Sequence, residues 1–179
     1  MAIRYFPVQG GAQYTNDYGQ PRSGGRRHQG NDLFAPEGTP LLAVDDGSIE
    51  FKVDPTGGNS VYLRATDGTT YYYTHLLRYY GGNRSVKAGE AIGEVGRTGN
   101  AAGTPPQLHF EVHPGGRRET VNPFPLLTTA PTRVSTRGAT AGRSIVVPLL
   151  VATAVGLGTW ALLQPTEVRR LWDRLPRLA

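Results

Sequence analysis

Six short β-rich runs, each closed by turn residues, limit what this chain can fold into more than any other feature. They cover residues 41–44, 48–53, 60–65, 69–76, 91–95 and 108–112. Between them lie Asp46-Gly47, Pro55-Thr56-Gly57-Gly58, Asp67-Gly68 and Lys87-Ala88-Gly89. β-branched and aromatic side chains suit a pleated, half-buried surface, whereas Gly, Asp and Pro supply the dihedral angles of turns. Asp67-Gly68 between two such runs is a two-residue hairpin signal. No segment before residue 128 repeats its apolar residues at helical spacing. The expectation is an all-β domain built on antiparallel sheet.

The segment Gln107-Leu108-His109-Phe110-Glu111-Val112-His113 alternates cleanly. Leu108, Phe110 and Val112 share one strand face, and Gln107, His109, Glu111 and His113 share the other. A polar face with a histidine at its centre suits the floor of a groove, and His113 reads as an exposed histidine at the strand end. By the same alternation Tyr71, Tyr73 and His75 share a face. In His28-Gln29-Gly30-Asn31-Asp32 a histidine and an aspartate stand four apart, and Gly30 with Ser23-Gly24-Gly25 argues for a turn entering a strand. Hydrolytic zinc sites take three ligands from His, Asp and Glu and leave one position for water. His28, Asp32 and His109 would supply such a set. Spacing alone leaves other groupings of the four histidines open, and His28 by itself reads better as a surface-loop residue. There is no cysteine, which excludes disulfides, thiolate nucleophiles and cysteine metal sites.

Three motifs in register carry a resemblance. Arg26-Arg27-His28-Gln29-Gly30-Asn31-Asp32-Leu33-Phe34-Ala35-Pro36-Glu37-Gly38-Thr39-Pro40, with Ala43 and Asp46-Gly47, is similar to the first signature of the lysostaphin/LytM-type zinc metalloendopeptidases, which hydrolyse peptidoglycan. Tyr73-Thr74-His75-Leu76 resembles their second signature. Gly99-Asn100, Gly103-Thr104 and Leu108-His109-Phe110-Glu111-Val112 resemble their third, and Val121-Asn122-Pro123 closes the match. The resemblance spans roughly residues 5–127. It implies the β-sheet or sandwich groove of that family, one Zn2+ held by His28, Asp32 and His109, a catalytic His75, a groove-lining Tyr73, and peptidoglycan as partner. It departs at one position. Active members read His-x-His in the third signature, and the first of those histidines is catalytic, whereas this chain has Gln107. Glutamine can donate a hydrogen bond or hold a water, but it is no general base. Two readings follow: an endopeptidase in which His75 serves with Gln107, or a peptidoglycan-binding or hydrolase-activating module that does not cut.

The remainder divides by composition. Residues 1–127 form the expected metallopeptidase domain, and 128–143 read as a flexible basic linker with almost nothing to fill a core. Residues 145–163 carry no charge, and nineteen residues of helix rise about 28 Å, close to the hydrocarbon thickness of a bilayer. Residues 144–164 are therefore expected to be a single transmembrane helix, with 165–179 an amphipathic, Arg-rich tail at the headgroups. The net charge of +5 is spread over loops, linker and tail without a long basic run, so nucleic acid is not an expected partner. The first residues lack the apolar segment of a signal peptide. A wall-cutting domain ahead of a C-terminal anchor fits either a cell-envelope protein or a bacteriophage protein acting at lysis or from a membrane-containing virion.

Overall fold

A computed structural model of the chain describes residues 2–116 and 118–132. Eight strands form: β1 Asn31–Phe34, β2 Pro40–Leu42, β3 Gly47–Asp54, β4 Gly58–Ala65, β5 Thr70–Thr74, β6 Arg84–Val86, β7 Ala91–Glu94 and β8 Gln107–His113. All pairings are antiparallel. Six strands make one sheet in the order β1-β8-β5-β4-β3-β6, and β2 pairs with β7 in a separate ribbon. A single core joins the two. Leu33, Ile49, Val61, Leu63, Tyr71, Tyr73, Leu108, Phe110 and Val112 come from the large sheet. Leu41 and Ile92 of the ribbon and Ile3, Phe6 and Val8 of the N-terminal segment pack into the same core. The large sheet thus spends one face on the core and leaves the other for a groove, the division that period-two alternation permits.

The expected runs are strands, with two local differences. The β4–β5 connection is a three-residue turn over Thr66, Asp67 and Gly68, not a two-residue one. The Gly68 amide donates to the Ala65 carbonyl at 3.0 Å, the Ala65 amide donates to the Thr69 carbonyl at 2.8 Å, and Gly68 adopts φ +84°. A positive-φ third residue of this kind produces a bulge that keeps the hairpin twist. The edge strand β6 has only three residues, too few to leave a pattern in the sequence. A short helix, α1 Phe124–Thr129, follows the sheet. It buries Leu127 in the core, and the Phe6 amide donates to the Pro131 carbonyl at 2.8 Å. The expected linker at 128–143 therefore begins inside packed structure. Its part beyond residue 132, the expected membrane helix 144–164 and the tail 165–179 lie outside the described residues. Among the described residues no helix is long and apolar enough to cross a membrane.

Candidate metal centre

Strand register assembles the groove floor. Asp32 of β1 and Thr74 of β5 both stand opposite His109 of β8. Tyr72 stands opposite Glu111 on one side and Tyr62 on the other. Directly opposed side chains on one sheet face lie within contact distance, so this register gathers Asp32, Thr74 and His109 from three distant parts of the sequence. His28 comes from the preceding loop, which is pinned by backbone hydrogen bonds from His28 to Gln20 and from Gly19 to His28. Gly30 lets that loop cross β8. A Cβ there would lie 2.2 Å from the Phe110 carbonyl oxygen.

His28, Asp32 and His109 converge. His28 Nε2 lies 3.1 Å from Asp32 Oδ1 and 2.8 Å from His109 Nδ1, and His109 Nδ1 lies 3.0 Å from Asp32 Oδ1. Bonds of 2.0–2.1 Å at tetrahedral angles would separate such ligand atoms by about 3.3 Å, so the triangle is close to the size a zinc ion requires. The far atom of each residue is held by another group. His28 Nδ1 faces the Asp17 carbonyl oxygen at 3.0 Å and its carboxylate at 3.1 Å. His109 Nε2 lies 2.9 Å from Glu111 Oε1. Arg22 donates to Asp32 Oδ2 at 2.6 Å and to Asp17 at 3.1 Å. With a metal in place of the inner protons, the Asp17 oxygens and Glu111 would hold the outer N–H groups, as outer partners do for metal-binding histidines, and Arg22 Nη2 also lies 2.7 Å from His28 Nδ1. The donor set therefore fits a zinc ion.

The charge states agree with a site built for a cation. Burial works to lower the His28 pKa, but hydrogen bonds to Asp17 and Asp32 outweigh it and raise it to about 9. Burial likewise opposes charge on His109, and its bonds to Asp32 and Glu111 again prevail and raise it. Desolvation would raise the Asp32 carboxyl, yet the two histidines hold it well below the carboxylate range. Glu111, also buried, is brought down to about 2 by His109 and His113.

His75 stands across the groove, its ring centroid 6.1 Å from that of His109. It lies just past the end of β5 at φ +68°, the single non-glycine residue with positive φ among the described residues. Its amide donates to the Gly57 carbonyl at 2.8 Å and its Nδ1–H donates to the Thr98 carbonyl at 2.9 Å. That bond leaves Nε2 as the basic nitrogen. Burial, first, and the charge of His109 lower its pKa, so it is neutral near pH 7. Thr98 is itself anchored, accepting from the Asn59 amide at 2.9 Å and donating to the Leu76 carbonyl at 3.0 Å. Gly58 and Gly99 pack back to back beside it, where either Cβ would meet the other glycine's amide nitrogen at 2.4 Å.

Gln107, 93% buried, also lines the groove. Its Nε2 donates to Thr104 Oγ1 at 3.4 Å, and that hydroxyl donates in turn to the Ala101 carbonyl at 2.9 Å. The amide is therefore oriented with Oε1 as an acceptor that is buried and has no partner.

Two expectations are corrected. Tyr73 does not line the groove. It is fully buried in the core, accepts from the Val44 amide and donates to the Leu42 carbonyl. The positive φ of His75 reverses the strand alternation, sending His75 to the face opposite Tyr71 and Tyr73. Tyr72, stacked on Tyr62 at 4.4 Å, lines the groove instead. His113 is not an exposed strand end, because its Nε2 lies 2.8 Å from Glu111 Oε2 and its side chain is 16% exposed. Asp17, Arg22 and Thr98 carried no sequence signal that marked them. Glu111 had one, its place two residues from His109 on the same face. The groove lined by Tyr72, His75, Gln107, Glu111 and the three candidate ligands encloses about 930 Å³, and Arg22, Arg26 and Arg27 form part of its rim.

Comparisons with known proteins follow this geometry. The model of peptidase family M23 matches residues 26–123. DD-carboxypeptidase/endopeptidase Mpg of Neisseria meningitidis is 40% identical over 107 residues, covering 59% of this chain and 24% of that protein. The chain thus spans about a quarter of the length of that curated relative. The catalytic domain of the antimicrobial peptidase lysostaphin from Staphylococcus simulans superposes with a TM-score of 0.60 at 33% identity, covering 66% of this chain and 93% of that domain. A zinc-containing peptidase from Vibrio cholerae superposes with a TM-score of 0.58 at 28% identity, covering 68% of this chain and 39% of that one.

Proposed function

The chain belongs to peptidase family M23, and on that premise we propose that it is a zinc endopeptidase hydrolysing peptide bonds of bacterial peptidoglycan. The convergence of His28 Nε2, Asp32 Oδ1 and His109 Nδ1, each with its far atom held outward, carries this reading. A zinc ion held by His28, Asp32 and His109 would bring the pKa of a bound water to about 7 and would polarise a carbonyl, so no protein nucleophile would be needed. Neutral His75 takes a proton from the attacking water at Nε2 and returns it to the leaving amine, while Thr98 keeps the ring in one tautomer. The Tyr62–Tyr72 stack forms one wall for the peptide. Gln107 does not exchange protons. Its amide, tied to Thr104, forms part of the groove floor.

Gln107 also favours a second reading, a domain that keeps its metal and binds wall peptides without cutting them. One experiment separates the two. The full chain is incubated with isolated peptidoglycan, with zinc and after chelation, and released fragments are identified by mass spectrometry beside a His109→Ala control. Zinc-dependent cut peptides absent from the control support the enzyme. Retention on the wall without products supports the binding module, and a Gln107→His variant that then cuts would identify the missing group. The uncharged run within 144–164 supports anchoring of this domain to a bilayer, with 165–179 lying along its surface. Alkaline carbonate extraction that released the full chain from membranes would sink that assignment. Recovery of the protein from host envelopes lacking any phage would favour a cellular over a phage origin.

A further inference from the structure

The charge of the groove rim is unspent. Arg26 and Arg27 are exposed and lie on the loop that carries His28 to the metal centre. Arg26 Nε donates to the Ser23 carbonyl at 3.2 Å, and Arg27 Nη1 donates to the Gly19 carbonyl at 3.0 Å. Each guanidinium has five N–H donors, so these backbone bonds tether the side chains and leave most of each fork open. Among the described residues neither meets a carboxylate, whereas Arg78, Arg84 and Arg97 each pair with a glutamate. The acids inside the groove cannot serve, since Asp32 is shared by His28, His109 and Arg22, and Glu111 by His109 and His113. The remaining walls, including Thr56, Gly57, Asn100, Ala101 and Thr104, are neutral.

Resting on the reading that the groove takes a wall peptide, we propose that Arg26 and Arg27 select stem peptides bearing a free side carboxylate over amidated stems and uncharged glycine bridges. A planar guanidinium fork matches a carboxylate and gains little from a carboxamide. A groove lined by charge of one sign also raises the local concentration of an oppositely charged ligand.

Binding is measured on the full chain by calorimetry with chelator present, which keeps it separate from turnover. The two probes are L-Ala-γ-D-Glu-L-Lys-D-Ala-D-Ala and the same peptide with its D-Glu α-carboxylate converted to the carboxamide, so they differ by one charge. The carboxylate form should bind about fivefold tighter at low salt, the range of a solvent-accessible ion pair, and the preference should shrink toward one at about 500 mM salt, where the Debye length falls to a few ångströms. An Arg26→Gln/Arg27→Gln double variant should bind both probes equally. Equal affinity in the unmodified chain, or a preference that survives high salt or the double substitution, overturns the proposal. A clear preference together with no zinc-dependent cutting of any wall would leave this selectivity standing and remove the endopeptidase reading.

Discussion

Glu111 offers the sharpest test of the metal centre, because it touches two histidines and no substrate is needed to read its effect. It is 92% buried, with Oε1 2.9 Å from His109 Nε2 and Oε2 2.8 Å from His113 Nε2. Holding its carboxyl at about 2 instead of 4.5 corresponds to about 3 kcal/mol, at 1.36 kcal/mol per tenfold. Part of that stabilisation acts through His109, the partner on Oε1. Glu111→Gln keeps the shape and removes the charge, so zinc affinity should fall by about tenfold, within the 10–100-fold typical of outer partners to metal-bound histidine. The assay is competition between the full chain and a zinc-binding dye, with His109→Ala as the reference for loss of a ligand. A Glu111→Gln dissociation constant within twofold of the unmodified value, beside a large loss in His109→Ala, would refute the idea that Glu111 acts through His109.

Three further outcomes are expected. The His28 pKa of about 9 stands above its ordinary 6.5, so in metal-free protein the protonated ring stabilises the fold fully below pH 6.5, and this is lost as pH rises through 9. Thermal melts with chelator should therefore fall across that window while zinc affinity rises across it, and a flat or rising melting temperature would contradict the Asp17–His28–Asp32 arrangement. Gly30→Ala should destabilise by about 3 kcal/mol, since its Cβ would lie 2.2 Å from the Phe110 carbonyl oxygen, and urea unfolding with a midpoint unchanged would show that the loop can retreat from β8. Thr98→Val removes both hydrogen bonds that fix the backbone beside His75, and should reduce wall digestion by about tenfold with zinc affinity intact. Weaker zinc binding in that variant would mean that Thr98 supports the ligands instead.

Where a functional residue obeyed a local rule, the sequence reading reached it. β8 alternates without interruption, and the division of Gln107, His109, Glu111 and His113 from Leu108, Phe110 and Val112 follows from the two-residue period of any strand. Gly30 between His28 and Asp32 marks the entry to β1, although what requires glycine there is the nearby Phe110 carbonyl of β8 and not a positive φ. The same period placed His75 on the face of Tyr71 and Tyr73, and one positive φ at His75 breaks it, an angle held by Gly57 and Thr98 from other parts of the chain. The Asp67-Gly68 signal located a hairpin but not its length, since that depends on which residues of β4 and β5 are finally opposed.

By itself, then, the sequence determined six of the strand segments, the faces of β8, the presence of a His-Asp-His set and the substitution at Gln107. These are properties of periodicity and residue chemistry within a few positions. Only the tertiary structure decided that β8 lies between β1 and β5, which brings His109 opposite both Asp32 and Thr74. It also decided that Asp17, Arg22 and Glu111 hold the outer atoms of the three donors, that Thr98 sets the tautomer of His75, and that Arg26 and Arg27 meet no carboxylate among the described residues. Strand order and charge pairing depend on contacts between residues far apart in the chain, and such contacts leave no local pattern from which they could be read.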